Sequence, residues 1–306
     1  MRLNWPIEAE TLGRLPRIRL IRICLKPILD LGFAAVRHSH GNKISEHDMR
    51  RSGLLSQLLA ASFIGAPHAF AQSDASFFEP FDALDRDRWF ISSGWANGDH
   101  QSCLWHRDRV AINDGVLALS LTADAKEDRD LSCAEIQTNA RFGYGTFEVR
   151  MNVPYATGMN ANMFTFIGAP QDRPHNEIDF EFINRQSPTL QTNFHTAQGS
   201  ENTDLTAMPD DGAYRIYSFI WEPDRIRWFI DGDLIRETTG ADLPNEPQKL
   251  YLSLWSTETL KDWMGVFEAA DAPQTLEVDW VAFTAAGEPC AFDQSVLCQS
   301  DIEARP

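Results

Sequence analysis

No run of about 18 uninterrupted apolar residues occurs in the 306-residue chain, so it offers no membrane-spanning helix. Basic side chains are scarce too: 27 Lys and Arg stand against 44 Asp and Glu, a formal net charge of -17. Such a surface repels phosphates and anionic headgroups, which excludes nucleic acid and membrane as the main partner and points to a neutral one. Helical periodicity is nearly missing. Five cysteines include no C-x-x-C pair, so a zinc site has no ligand spacing to start from. Glycine (18) and proline (16) are too few for a collagen-like or disordered chain, while 43% apolar and 11% aromatic content suffices to bury a full core.

The charge is unevenly spread. Residues 1–71 carry ten basic and five acidic residues, leaving 17 basic and 39 acidic, a net of -22, for residues 72–306. Residues 49–71 read MRRSGLLSQLLAASFIGAPHAFA: two arginines, an apolar stretch and a terminal Ala-Phe-Ala, the three parts of a secretory signal cleaved after Ala71. Residues 1–48, basic and interrupted by prolines, are expected to be an upstream extension that is not native to the product. The product is then secreted or periplasmic. Setting Cys24 aside leaves Cys103, Cys133, Cys290 and Cys298, an even number suited to an oxidising compartment. Four cysteines allow three pairings, of which nearest-neighbour pairing is the simplest.

From Phe77 onward, short alternating runs are separated by turn residues. Asp114-Gly115 and Asp231-Gly232 each sit between alternating apolar segments, the signature of a tight hairpin whose glycine accepts a positive φ. Further strands are predicted over 145–153, 162–168, 176–183, 189–196, 214–222, 250–256 and 275–283. Many strands without intervening helices predict an all-β fold, a jelly-roll sandwich of two antiparallel curved sheets with a concave cleft.

The most informative run is Glu177-Ile178-Asp179-Phe180-Glu181-Phe182. Side chains alternate across a strand, so three carboxylates share one face and three apolar groups the other. Like charges in a row are destabilising, and a merely solvated face would mix in Thr, Lys and Ser. Four residues at about 3.3 Å separate the Glu177 and Glu181 Cα atoms by roughly 13 Å, and side chains leaning inward leave carboxyls on the order of 5 Å apart. That gap suits a retaining glycosidase, whereas an inverting enzyme needs about 6.5–9.5 Å for a water. Asp179, between them, would couple to both titrations.

The same run resembles the active-site strand of family 16 glycoside hydrolases, in the form found in bacterial lichenases (endo-1,3-1,4-β-glucanases). GWANGDHQSCLW, INDGVLALSL, SCAEIQ, GYGTFEVRM, IWEPDRIRWFIDG and DWMGVFEAADAPQTLEVDWVAF resemble lichenase segments in the same order. The resemblance implies that residues 72–306 form the catalytic domain. It implies Glu177 as nucleophile, Glu181 as general acid/base and Asp179 as the assisting carboxylate, with no cofactor for catalysis. It further implies a Cys103–Cys133 disulfide, substrate contacts from Trp95, Asn97, Glu135, Asn193, His195 and Trp255, and a weak structural calcium at Pro80, Gly115 and Asp279.

Four positions depart from the family's pattern: His175-Asn176 replaces Trp-Asp, Gln137 replaces an arginine, Ser253 an asparagine and His195 an aromatic. The implied activity is that of a monomeric endo-β-glycanase on mixed-linkage 1,3-1,4-β-glucan or a related bacterial exopolysaccharide. A transglycosylase would use the same carboxylates. A carbohydrate-binding protein on the same fold would have no reason to keep all three. His175 and His195 read as hydrogen-bonded side chains without a titrating role.

Overall fold

The computed structural model describes residues 75–199 and 203–299. The expected signal segment and upstream extension lie outside these residues. Among the described residues there is no α-helix, only four one-turn 3-10 segments, and sixteen strands in two sheets. No helix among them is long and apolar enough to cross a membrane.

Both Asp-Gly hairpins form. Asp114 and Gly115 take φ of 51° and 80° between β4 (Val110–Asn113) and β5 (Val116–Leu121), and Asp231 and Gly232 take 50° and 83° between β13 (Arg225–Ile230) and β14 (Asp233–Thr239). The remaining strands are β1 (Phe77–Glu79), β2 (Trp89–Ile91), β3 (Cys103–Trp105), β6 (Leu131–Thr138), β7 (Gly145–Asn152), β8 (Met159–Ile167), β9 (Asn176–Asn184), β10 (Pro188–Thr196), β11 (Asp204–Ala207), β12 (Arg215–Trp221), β15 (Lys249–Ser256) and β16 (Gln274–Ala285).

The outer sheet runs β14-β13-β12-β7-β16-β5-β4, with β1 beside β16; the cleft sheet runs β11-β10-β9-β8-β15-β6-β2, with β3 beside β6. Between them lies one apolar core. Ile178, Phe180 and Phe182 of β9 are completely buried in it, as are Phe147 and Phe219 from the outer sheet. At about 2 kcal/mol or more per large apolar side chain buried, the three from β9 hold the strand down against the repulsion on its other face.

Both disulfides pair nearest neighbours, Cys103–Cys133 and Cys290–Cys298. The first fastens β3 to β6. The second closes a C-terminal loop that seals a buried polar group of the outer sheet: Glu148 accepts from Ser218 Oγ at 3.1 Å, Ser295 Oγ at 2.6 Å and the Val296 amide at 2.8 Å. Burial raises this carboxyl above its usual range despite those three donors.

One glycine permits a close backbone approach next to the cleft sheet. Gly158, at φ 72°, passes so close to the 257–267 segment that a Cβ there would stand 2.0 Å from the Phe267 nitrogen. The Gly158 amide donates to the Met264 carbonyl, and the Gly158 carbonyl accepts from Thr257. This segment carries Trp263 to the side of the catalytic strand.

Candidate active site

Antiparallel register builds the site across the cleft sheet. Glu177, Asp179 and Glu181 face His195, Asn193 and Gln191 of β10 on one side, and Phe166, Phe164 and Asn162 of β8 on the other. Beyond β8 come Tyr251 and Ser253 of β15, then Gln137 and Glu135 of β6. All three carboxylates line one cleft of 470 Å³ together with Trp95, Asn97, Glu135, Phe164, Tyr251 and Trp255. The expected contacts Trp95, Asn97, Glu135 and Trp255 are therefore gathered at a single place. Asn193 and His195 stand beside it on β10, where the Asn193 amide lies 2.9 Å from His195 Nε2.

The three carboxylates occupy different environments. Glu181 accepts from Asn160 Nδ2 at 3.2 Å and Gln191 Nε2 at 2.8 Å. Burial, then the charge of Glu177, outweighs these donors and raises the Glu181 carboxyl to about 7. Gln191 is itself aimed by Trp263, whose indole N–H donates to its Oε1 at 2.9 Å. Asp179 is buried, and burial followed by its two acidic neighbours drives its carboxyl well above the usual range, with Arg236 pulling the other way. Arg236 reaches under the floor from β14, donating to the Thr192 carbonyl at 2.6 Å and lying 4.5 Å over the Trp228 ring. Asp179 Oδ2 finds no hydrogen-bond partner among the described residues.

Glu177 is the carboxylate open to the cleft, with a side chain 21% exposed and Oε2 only 2.6 Å from His175 Nε2. Two histidines meet here. The His175 ring stacks on His195 at 5.4 Å and 12°, while His195 Nε2 lies 3.7 Å from Asp179 Oδ2. His175 is thus a hydrogen-bonded ring, and its bond to Glu177 raises its pKa from the ordinary value.

Glu135 tells a similar story under the far end of the cleft. It is 2% exposed, accepts from Ser92 Oγ at 2.6 Å, and burial lifts it to about 7. Beside it Lys249 donates to Gln137 Oε1 at 2.9 Å, and burial lowers this ammonium to about 8. A cation on the neighbouring strand thus reaches Gln137, where the family's pattern has an arginine. Ser253 Oγ donates to Asn162 Oδ1, so two of the four departures are absorbed into hydrogen bonds across strands. Sequence reasoning missed Asn160, Gln191, Ser92 and Lys249; alternation marks their faces, but only pairing reveals what they touch.

The expected calcium residues flank one stretch of β16. Along β16 the partner changes from β5, whose pairing ends at Val278↔Leu117, to β1, whose pairing begins at Glu79↔Val281, so Pro80 follows, and Gly115 precedes, a strand that borders the Asp279 stretch. Yet Arg150 of β7 already holds Asp279 Oδ2 in an ion pair. Calcium takes six to eight oxygens, and the one carboxylate here is neutralised. Among the described residues no group of three His, Cys, Asp or Glu forms a metal cage. With its one carboxylate paired to Arg150, the expected calcium finds no support among the described residues.

A three-carboxylate strand under an aromatic-lined cleft on a two-sheet β fold is glycosidase architecture, and the sequence model of glycosyl hydrolases family 16 matches residues 97–282. The chain belongs to glycosyl hydrolase family 16. Retention through two carboxyl groups is general to this family, and its members need no catalytic cofactor.

The family 16 hydrolase is 43% identical over 227 residues to an endo-1,3-1,4-beta-glycanase, ExoK, of Rhizobium meliloti, covering 73% of this chain and 84% of that one. It is 31% identical to a beta-glucanase of Bacillus subtilis over 76% of this chain and 95% of that one. Among solved structures, a lichenase from a mouse hindgut metagenome superposes with a TM-score of 0.65 at 30% identity, covering 69% of this chain and 99% of that one. The beta-glucanase of Bacillus licheniformis gives 0.65 at 29%, with 70% and 99% covered.

Proposed function

We propose that this family 16 hydrolase is a secreted, retaining endo-β-glycanase that cleaves 1,3-1,4-linked β-glycan chains as a monomer. Glu177 attacks the anomeric carbon while Glu181 gives its proton to the glycosidic oxygen, which leaves with the departing chain. Water then gives a proton to Glu181 and its oxygen to the anomeric carbon, releasing Glu177. Asp179, between them, is the assisting carboxylate and couples to both titrations. Trp95 and Trp255 offer flat apolar faces to the sugars, and Asn97, Glu135, Asn193 and His195 take hydroxyls.

What carries the reading is the division between the two outer carboxyls. Glu181 is held near 7, protonated for acid catalysis around neutrality, while Glu177 opens onto the cleft and is oriented by His175. The substrate class is supported by the glycanase and glucanase relatives. Export is supported by two disulfides, which persist in oxidising compartments.

The test is an activity screen across barley β-glucan, lichenan, laminarin, xyloglucan and succinoglycan with linkage analysis of the products. The expected result is cleavage of a 1,3-1,4-linked chain, lost in both Glu177→Gln and Glu181→Gln. Near-parental turnover by either variant would overturn the assignment, and transfer to sugar acceptors in preference to water would move it to a transglycosylase. N-terminal sequencing of the exported protein is expected to begin at Gln72.

A further inference from the structure

Four large apolar side chains are conspicuously exposed among the described residues: Phe78 (45%), Phe90 (45%), Trp95 (40%) and Leu205 (61%). Phe78 has an evident packing role, since its ring lies 5.6 Å from Trp280 and 5.1 Å from Phe292 on the outer sheet. Trp95 belongs to the cleft. Phe90 has no such account: it is outside the core cluster and stacks on no other ring among the described residues.

Its direction follows from strand pairing. Neighbours paired across a sheet point to the same face, and Phe90 of β2 is the cross-strand partner of Gln137, a cleft-lining residue of β6. The flanking residues Trp89 and Ile91 pair with Thr138 and Ile136 on the core side. Phe90 therefore stands on the cleft face of the last strand of the sheet. A single row of partners joins it to the catalytic strand, Phe90, Gln137, Tyr251, Phe164 and Asp179.

We propose that Phe90 is a distal sugar-binding platform that extends the substrate track across the edge strand. The occupant is one β-linked hexosyl unit of the same chain that is being cut, so the assignment rests on the glycanase reading. Four strand spacings of about 4.8 Å put the ring roughly 19 Å from Asp179. A β-linked hexose advances a chain by about the same distance as one strand spacing, so the unit over Phe90 lies about four sugars from the cleaved bond. The negative face of the ring attracts the axial C–H groups of a hexose. Immediately beside it, the Gln137 amide is held by Lys249 Nζ at 2.9 Å and lies 3.5 Å from Ser92 Oγ, a fixed polar group for the hydroxyls of the same sugar. An apolar face next to an oriented amide is what a pyranose requires.

The experiment measures kcat and KM for linear 1,3-1,4-β-linked oligosaccharides of three to seven units with the parent protein, Phe90→Ala and Phe90→Trp. In the parent, KM is expected to fall as the chain becomes long enough to reach the edge strand. In Phe90→Ala that gain with length shrinks about fivefold, equivalent to about 1 kcal/mol, with the change in KM rather than kcat. Phe90→Trp, with a larger platform, restores or enlarges the gain. Equal length dependence in parent and Phe90→Ala overturns the platform and leaves the glycanase reading standing. Loss of the gain in Phe90→Trp as well overturns it too, since the ring would then serve only to shape the strand. Failure of the parent to cleave any of these chains overturns both.

Discussion

Replacing Glu177 with Gln removes the charge that helps keep the proton on Glu181. If the two carboxyls stand about 5.5 Å apart, as retention requires, an effective dielectric near 20 gives an interaction of about 3 kcal/mol, or about 2 pKa units. Water in the cleft screens part of it. The Glu181 carboxyl, raised to about 7 by burial first and Glu177 second, is therefore expected to fall by about 1 to 2 units in Glu177→Gln while staying above its ordinary value, because burial is unchanged. Carboxyl-selective carbon NMR, titrated from pH 3 to 9 in parent and variant, reads this directly. The same loss of charge accompanies esterification of Glu177 in the glycosyl-enzyme, so the titration also measures how far Glu181 is converted from acid to base between the two steps. A Glu181 pKa that stays within 0.3 unit of the parent, or rises, would refute the coupling and with it the account of how one residue performs both proton transfers.

Gln191→Leu and Asn160→Leu each remove a donor to the Glu181 carboxylate, so the alkaline limb of kcat/KM should move upward by about half a unit or more. Because the Glu181 pKa is raised from 4.5 to about 7, the folded state holds its proton longer than the unfolded one and stability falls as pH rises through that window. Glu181→Gln should therefore be more stable than the parent at pH 8, on the order of 1–2 kcal/mol after allowing for the partly open cleft, with the advantage vanishing by pH 4 in paired melts. Loss of the Cys103–Cys133 and Cys290–Cys298 bonds, with sequence separations of 30 and 8, should cost about 3.7 and 2.6 kcal/mol on the loop-entropy model, measured by denaturant titration of the serine variants. Since Arg150 holds Asp279, EDTA should leave Tm within about 1 °C; a larger fall would restore the calcium.

What the sequence determined by itself is whatever depends on local alternation. The two Asp-Gly turns, the apolar and acidic faces of β9, and the even cysteine set were legible because a strand's period of two and a turn's demand for positive φ are properties of adjacent residues. β6 escaped notice because all eight of its residues are buried, which erases alternation, and β1, β2 and β3 are each three residues long, too short to display a period. Tertiary structure decided everything that depends on register between distant segments. Lys249 reaches Gln137 across 112 positions and Ser253 reaches Asn162 across 91. Which strands flank β9 fixes Asn160 and Gln191 on Glu181, and the neighbour of β16 puts Arg150 on Asp279. Face is encoded within a strand, but neighbours are chosen by the packing of the whole sheet, and the proton affinities of Glu181, Asp179 and Glu135 depend on that burial rather than on the order of residues around them.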